Sequence, residues 1–229
     1  MQPSPRPVSE PAVPWSLRDT WMGVALMLVI IAALAIGISS VPQQKDVLVP
    51  ALVLIEAVYL VPIAIILGWR RASWKWLGFR NFDPASLGLG CGLLILAYSV
   101  ILLHNWILTL LNVRTQGELI SELLQALDSP VWLIVGAVVV APVVEEMFFR
   151  GFLFAGFRQR YGCRSGLLLS SAIFAVAHGD PASLIPIFIL GCLLGFVFHR
   201  SGSIWPGVIL HFLVNAFGLC ATLLALQLS

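Results

Sequence analysis

The chain has 229 residues, of which 59% are hydrophobic and only 10% are charged, and its formal net charge is +2. Soluble domains carry about 25% charged residues, so this composition excludes a soluble globular protein and a disordered chain, and the small net charge excludes a nucleic-acid-binding protein. The length and a mean hydropathy of +0.97 instead predict one bundle of membrane-spanning helices.

Residues 1–20 are polar and rich in proline, and no apolar core of a signal peptide lies near the terminus. A segment of this composition buries too little apolar surface to offset the entropy that it loses on ordering. We therefore predict a disordered cytoplasmic tail over residues 1–20, followed by a single transmembrane domain over residues 21–229.

Apolar runs follow this tail, and a run of about 20 residues is long enough to cross a bilayer as a helix. Seven apolar runs occur, which cover about 21–41, 47–69, 87–111, 131–157, 166–178, 184–198 and 204–226, and the fifth of them is short. The sequence therefore predicts an all-α fold, which is a polytopic transmembrane helix bundle of about seven spans.

Basic residues are concentrated on one side of this predicted bundle. Four lysines or arginines lie in loop 70–86 and three arginines lie in loop 158–165, whereas the loops on the opposite side carry few. Short loops rich in lysine and arginine stay in the cytoplasm. We therefore predict a multi-pass protein of the cell membrane whose N-terminus is cytoplasmic.

Three groups of polar residues lie inside the apolar runs, where an ionisable side chain costs about 2.5–3.5 kcal/mol and is expected to serve a function. They are APVVEEMFFRG with Glu145, Glu146 and Arg150, FAVAH from Phe174 to His178, and HFLVN from His211 to Asn215. At 1.5 Å per helical residue, all three segments reach a similar depth, roughly 12–20 Å below the cytoplasmic face. We therefore expect one site, in the cytoplasmic half or the middle of the membrane.

Helical geometry gives each acidic residue a different expected role. Glu146 and Arg150 are four residues apart on one helix face, so we expect them to pair and to support the site structurally. Glu145 is turned away by about 100°, which leaves its carboxylate free to act as a general base. Glu56, in the second run, is expected to be hydrogen-bonded or paired within the bundle rather than catalytic.

The four-residue spacing also places His211 and Asn215 on one helix face, and Phe174 one turn from His178. In this arrangement Glu145 would take a proton from a water molecule that His178 helps to hold, while His211 and Asn215 would donate hydrogen bonds to the developing oxyanion. No serine or cysteine lies within the three segments, so the expected reaction is peptide hydrolysis without a covalent intermediate.

A zinc-dependent version of this site stays open, because one glutamate and two histidines form a known catalytic zinc set. Its ligands would be Glu145, His178 and His211, with a position left for water. The chain lacks an HExxH motif and asparagine is a poor zinc ligand, so we favour no cofactor and keep Zn²⁺ as the alternative.

In order and rough spacing, the three segments resemble the EExxxR, FxxxH and HxxxN motifs of the CPBP intramembrane proteases, also called the Abi family. This family is related to the type II CaaX prenyl proteases, and the resemblance covers about residues 130–220. It implies a CaaX-protease-like helical core that cleaves a membrane-associated protein or peptide. The implied catalytic residues are Glu145, His178, His211 and Asn215, supported by Glu146, Arg150 and Phe174.

Two other functions stay open. A non-catalytic membrane immunity or scaffold protein of the same fold is the main alternative, although complete motifs argue against a decayed enzyme. A proton-coupled transporter also uses intramembrane glutamate and histidine, but such carriers more often contain inverted repeats, which this sequence does not show. We therefore expect an intramembrane endopeptidase whose partners are the lipid bilayer and a membrane-associated substrate, and not a nucleic acid.

Overall fold

The computed structural model describes residues 12–39, 56–127 and 129–228, and within these ranges it contains helices but no strand. The helices are α1 (Leu17–Ser39), α2 (Leu60–Arg70), α3 (Pro84–Leu110), α4 (Gln116–Ala126), α5 (Val131–Ala177), α6 (Leu184–Ser201) and α7 (Trp205–Leu228). Short 3₁₀ turns cover Trp74–Leu77 and Pro181–Ser183. The predicted all-α, polytopic fold is confirmed.

Among the described residues, five helices are long and apolar enough to cross a membrane, namely α1, α3, α5, α6 and α7. Helix α5 folds back on itself at Gly162, which has a left-handed φ of 79° that favours glycine. The ring of Phe149 before this break lies 4.9 Å from the ring of Phe174 after it, so α5 forms two antiparallel arms. Together with α2, these two arms and the other long helices coincide with the seven predicted runs, except that residues 40–41 and 47–55 lie outside the described ranges.

The first arm of α5 is irregular in a way that its sequence explains. Two π-helical stretches, Val135–Val140 and Glu146–Phe154, flank the α-helical turn Ala141–Glu145. Pro142 lies in that turn and has no N–H group to donate, so the regular hydrogen-bond ladder cannot pass through it unchanged. Wide turns of this kind occur often at functional sites.

Aromatic side chains fill the space between this arm and its neighbours. Six phenylalanines are fully buried there, at positions 148, 149, 152, 154, 157 and 174. Such packing holds helices together in lipid, where burial of apolar surface gives little drive for association. A second buried cluster joins α3, α6 and α7 and contains Ala97, Leu190, Leu193, Leu194, Val197 and Leu210.

The predicted boundary of the disordered tail is wrong for residues 12–20, whereas residues 1–11 lie outside the described ranges. Trp15 is only 1% exposed, and its ring lies 5.3 Å from that of Phe152. Asp19 lies in the first turn of α1 and forms an ion pair with Arg70 at 2.7 Å. Burial of one large aromatic ring therefore orders a segment whose average composition predicted disorder.

We expect the substitution Trp15→Ala to destabilise the protein by about 3–5 kcal/mol, because it leaves a cavity in the aromatic core. The measurement is reversible unfolding of the purified protein in detergent. Trp106→Ala is the matched control, since Trp106 on α3 is 60% exposed, and we expect it to change stability by about 0.5 kcal/mol or less. Equal effects of the two substitutions would show that the segment before α1 does not pack on α5.

Candidate active site

A cavity of about 520 Å³ lies between α3, α4, α5, α6 and α7, and most of its lining residues are apolar. Its polar lining includes all four predicted catalytic residues, which are Glu145, His178, His211 and Asn215. Glu145 and His211 are buried, whereas His178 and Asn215 are half-buried. The structure thus brings the three predicted segments to one place.

The ring of His211 lies between the two adjacent glutamates of α5. Its Nε2 atom is 3.7 Å from Oε2 of Glu145, and its Nδ1 atom is 3.4 Å from Oε1 of Glu146. Glu145 points away from the ion pair that Glu146 forms with Arg150, as helical geometry predicts. The imidazole ring nevertheless lies between the two carboxylates and meets each of them at a different nitrogen.

The expected pair of Glu146 and Arg150 is present and fully enclosed. Arg150 Nη1 lies 2.8 Å from Glu146 Oε1, and the two side chains are 3% and 0% exposed. Arg150 also donates a hydrogen bond to the Gly191 carbonyl of α6 at 3.5 Å. Because each charge is compensated only inside the protein, removing one partner would leave an uncompensated buried ion.

Phe174 joins this ion pair to the two histidines. Its ring lies under the Arg150 guanidinium, with the Cζ atom 4.2 Å from the ring centroid. The same ring meets the imidazole of His178 at 4.7 Å and that of His211 at 5.9 Å, both nearly perpendicular. Phe174 is fully buried, so it fixes the relative positions of these three groups.

A hydrogen bond to the backbone sets the tautomer of His178. Its Nδ1 atom lies 2.8 Å from the carbonyl oxygen of Phe174, and since a carbonyl only accepts, Nδ1–H is the donor. When the ring is neutral, Nε2 is therefore the nitrogen that can accept a hydrogen bond from a water molecule in the cavity.

Asn215 is held by the irregular part of α5. Its Nδ2 atom donates to the carbonyl of Ala137 at 2.8 Å. Ala137 lies in the π-helical stretch Val135–Val140, where a carbonyl accepts from the residue five positions on, and that residue is Pro142, which has no N–H. The carbonyl is thus free for Asn215, whose second amide N–H is left for a ligand.

Sequence reasoning missed the position of Glu56. This residue lines the same cavity, and its Oε2 atom is buried and accepts no hydrogen bond from the described residues. The interpretation of Glu56 as hydrogen-bonded or paired is therefore wrong for that oxygen. Its place in an apolar run was the available signal, but the sequence does not show which helix it faces.

The zinc alternative requires three ligands at one point. Within the described ranges, no three His, Cys, Asp or Glu side chains are grouped as a single metal ion would need. Glu145, His178 and His211 share the cavity without forming that group, and the zinc-dependent site stays an untested alternative.

Comparison with known proteins bears on the same part of the chain. Residues 127–217 match the family model described as type II CAAX prenyl endopeptidase Rce1-like. This match contains all three motif segments. No solved structure matches the chain.

Three curated relatives are similar over parts of their length. The "Putative membrane peptidase YdiL" of Bacillus subtilis is 24% identical over 143 residues, which are 60% of this chain and 59% of the relative. The UPF0177 protein YxdF of Lactococcus lactis is 30% identical over 81 residues, 35% of this chain and 44% of the relative. A 24.3 kDa protein of Escherichia coli is 33% identical over 87 residues, 35% of this chain and 40% of the relative. The chain thus spans less than two thirds of each relative.

The family match and the membrane-peptidase relative agree with the resemblance that the three motifs predict, which is therefore confirmed. Every candidate site residue except Glu56 lies within the matched range. Residues 127–217 of this multi-pass helical protein are thus similar to the family described as type II CAAX prenyl endopeptidase Rce1-like.

Proposed function

We propose that the protein is an intramembrane endopeptidase that hydrolyses a peptide bond of a membrane-associated protein or peptide. The observation that carries this proposal is the shared cavity, in which a buried carboxylate, two imidazoles and a carboxamide face one largely apolar space. An apolar cavity with a few convergent polar groups is the usual form of a substrate site.

The proposed reaction begins with a water molecule held between Glu145 and Nε2 of His178. Glu145 takes one proton from this water as its oxygen bonds to the substrate carbonyl carbon. Hydrogen bonds from His211 and from the second amide N–H of Asn215 stabilise the oxyanion. The C–N bond then breaks, and the leaving amine takes up a proton.

The proposed substrate presents an apolar or lipid-modified segment, because the lining of the cavity is mostly apolar. The name of the matching family suggests a first test compound, a farnesylated peptide that ends in a CaaX sequence. We also propose that the N-terminus is cytoplasmic and that the substrate is cleaved in the cytoplasmic half or the middle of the membrane, as the distribution of basic residues predicts.

We expect Glu145→Gln to lower the rate of cleavage at least about 10²-fold, because the amide cannot accept the proton of the attacking water. The assay uses the full chain in lipid vesicles with the farnesylated CaaX peptide and an unmodified peptide of the same sequence. Mass spectrometry in ¹⁸O-labelled water detects one ¹⁸O in each new carboxyl terminus.

Glu122→Gln is the matched control for this test. Glu122 lies on α4, its side chain is 68% exposed and pairs with Arg114, and it does not line the cavity. We expect this variant to keep the wild-type rate. If the wild-type chain and Glu145→Gln cleave the peptide at equal rates, or if neither cleaves it, the proposed protease is contradicted and a non-catalytic membrane protein is favoured.

We expect Gly207→Ala to lower both activity and stability, because a β-carbon at Gly207 would lie 2.7 Å from Oε2 of Glu146. The carboxylate would have to move, and with it the support of the His211 ring. The measurements are the cleavage rate and unfolding in detergent. Gly92→Ala on α3 is the control, since its β-carbon would meet nothing within 4 Å; a Gly207→Ala protein that matches this control would show that Glu146 tolerates displacement.

A further inference from the structure

The proposed hydrolysis uses the carboxyl group of Glu145 and leaves the other carboxyl group of the described cavity lining, that of Glu56, without a role. Glu56 and Glu145 both line the cavity, and the Oε2 atom of each is sealed from solvent with no hydrogen-bond partner among the described residues. Buried polar atoms are nearly always hydrogen-bonded, so each of these oxygens needs a donor that the cavity can supply, such as a water molecule or the substrate.

The fold holds Glu56 against the turn of α5 that carries Glu145. The backbone N–H of Tyr59 donates to the Glu56 carbonyl at 3.3 Å, which closes a turn ahead of α2. The buried ring of Tyr59 packs on Phe148 at 5.5 Å and on Phe149 at 5.4 Å. These rings follow Glu145 by about one helical turn, and the carboxyl groups of Glu56 and Glu145 are near enough to interact electrostatically.

The charges around the two carboxyl groups are unequal. Nε2 of His211 on α7 lies 3.7 Å from Oε2 of Glu145 on α5. The guanidinium of Arg150 pairs with the neighbouring Glu146. In the part of the chain that the structure describes, no cation pairs with Glu56, whose neighbours are Glu145 and Tyr59. An ionised carboxylate without a cationic partner is costly in an apolar cavity, so Glu56 is the carboxyl group suited to give a proton, and Glu145, with His211 beside it, is the one suited to accept one.

We propose that Glu56 is a further catalytic residue of this site, the general acid that protonates the leaving amine. The proposal rests on the proposed function. Glu145 gains a proton from water as the water oxygen bonds to the carbonyl carbon; the Glu56 proton goes to the amide nitrogen as the C–N bond breaks. The products are a carboxyl group and an amine, and transfer of the proton from Glu145 to Glu56 restores the resting site.

The first test needs no substrate. We expect the wild-type protein at pH 7 to show the infrared C=O stretching band of a protonated carboxylic acid. Glu56→Gln should lose this band, Glu145→Gln should keep it at a shifted frequency, and Glu122→Gln should leave it unchanged. A band that is absent from the wild type, or that is unaltered in Glu56→Gln, overturns the proposal.

The second test uses the farnesylated CaaX peptide. We expect Glu56→Gln to lower kcat on the order of 10²-fold with little change in KM, and to lose the alkaline fall of the pH–rate profile, because the variant has no acid to deprotonate. Glu56→Asp should restore part of the rate and the alkaline fall. Unfolding in detergent, measured for each variant, separates loss of catalysis from loss of fold.

The outcomes separate the two proposals. If the wild type and Glu145→Gln do not differ in cleavage, the proposed protease fails, and the infrared band still decides whether Glu56 holds a proton. If Glu145→Gln is inactive but Glu56→Gln keeps the wild-type kcat and pH profile, only the role of Glu56 fails.

Discussion

The enclosed ion pair of Glu146 and Arg150 is the constraint on which the rest of the site depends. Neither charge reaches solvent, so each must find its compensation inside the protein. The pair does so by drawing three helices together: Arg150 bonds the α6 backbone and lies over Phe174, while Glu146 meets His211 of α7. The candidate site residues around the cavity are therefore positioned by this buried pair.

A break in regular helix geometry lets a second group join the site. Pro142 interrupts the backbone ladder of α5, and the resulting wide turn leaves the Ala137 carbonyl for Asn215 to bond. A regular helix through this region would satisfy that carbonyl internally. The irregularity thus connects α5 to α7 by a hydrogen bond that does not involve the ion pair.

Contacts that depend on the spacing of residues within one helix can be predicted from the sequence. The four-residue separation of Glu146 and Arg150 predicts their pairing, and apolar run lengths predict the helical bundle. Contacts between helices are not encoded in such spacing, so the place of Glu56 beside Glu145 and the bond of Asn215 to Ala137 emerge only from the fold. The burial of Trp15 could likewise not be predicted, because the average composition of its segment is polar.

The fold-back of α5 at Gly162 also determines the order in which the site is assembled during synthesis. Glu145 and His178 lie on the two arms of a single hairpin, whereas His211 arrives on α7, which leaves the ribosome later. Until that helix inserts beside the hairpin, Glu146 lacks its imidazole neighbour and the cavity lacks one wall. The cavity that holds the candidate site is therefore completed only after α7 has inserted beside the two arms of α5.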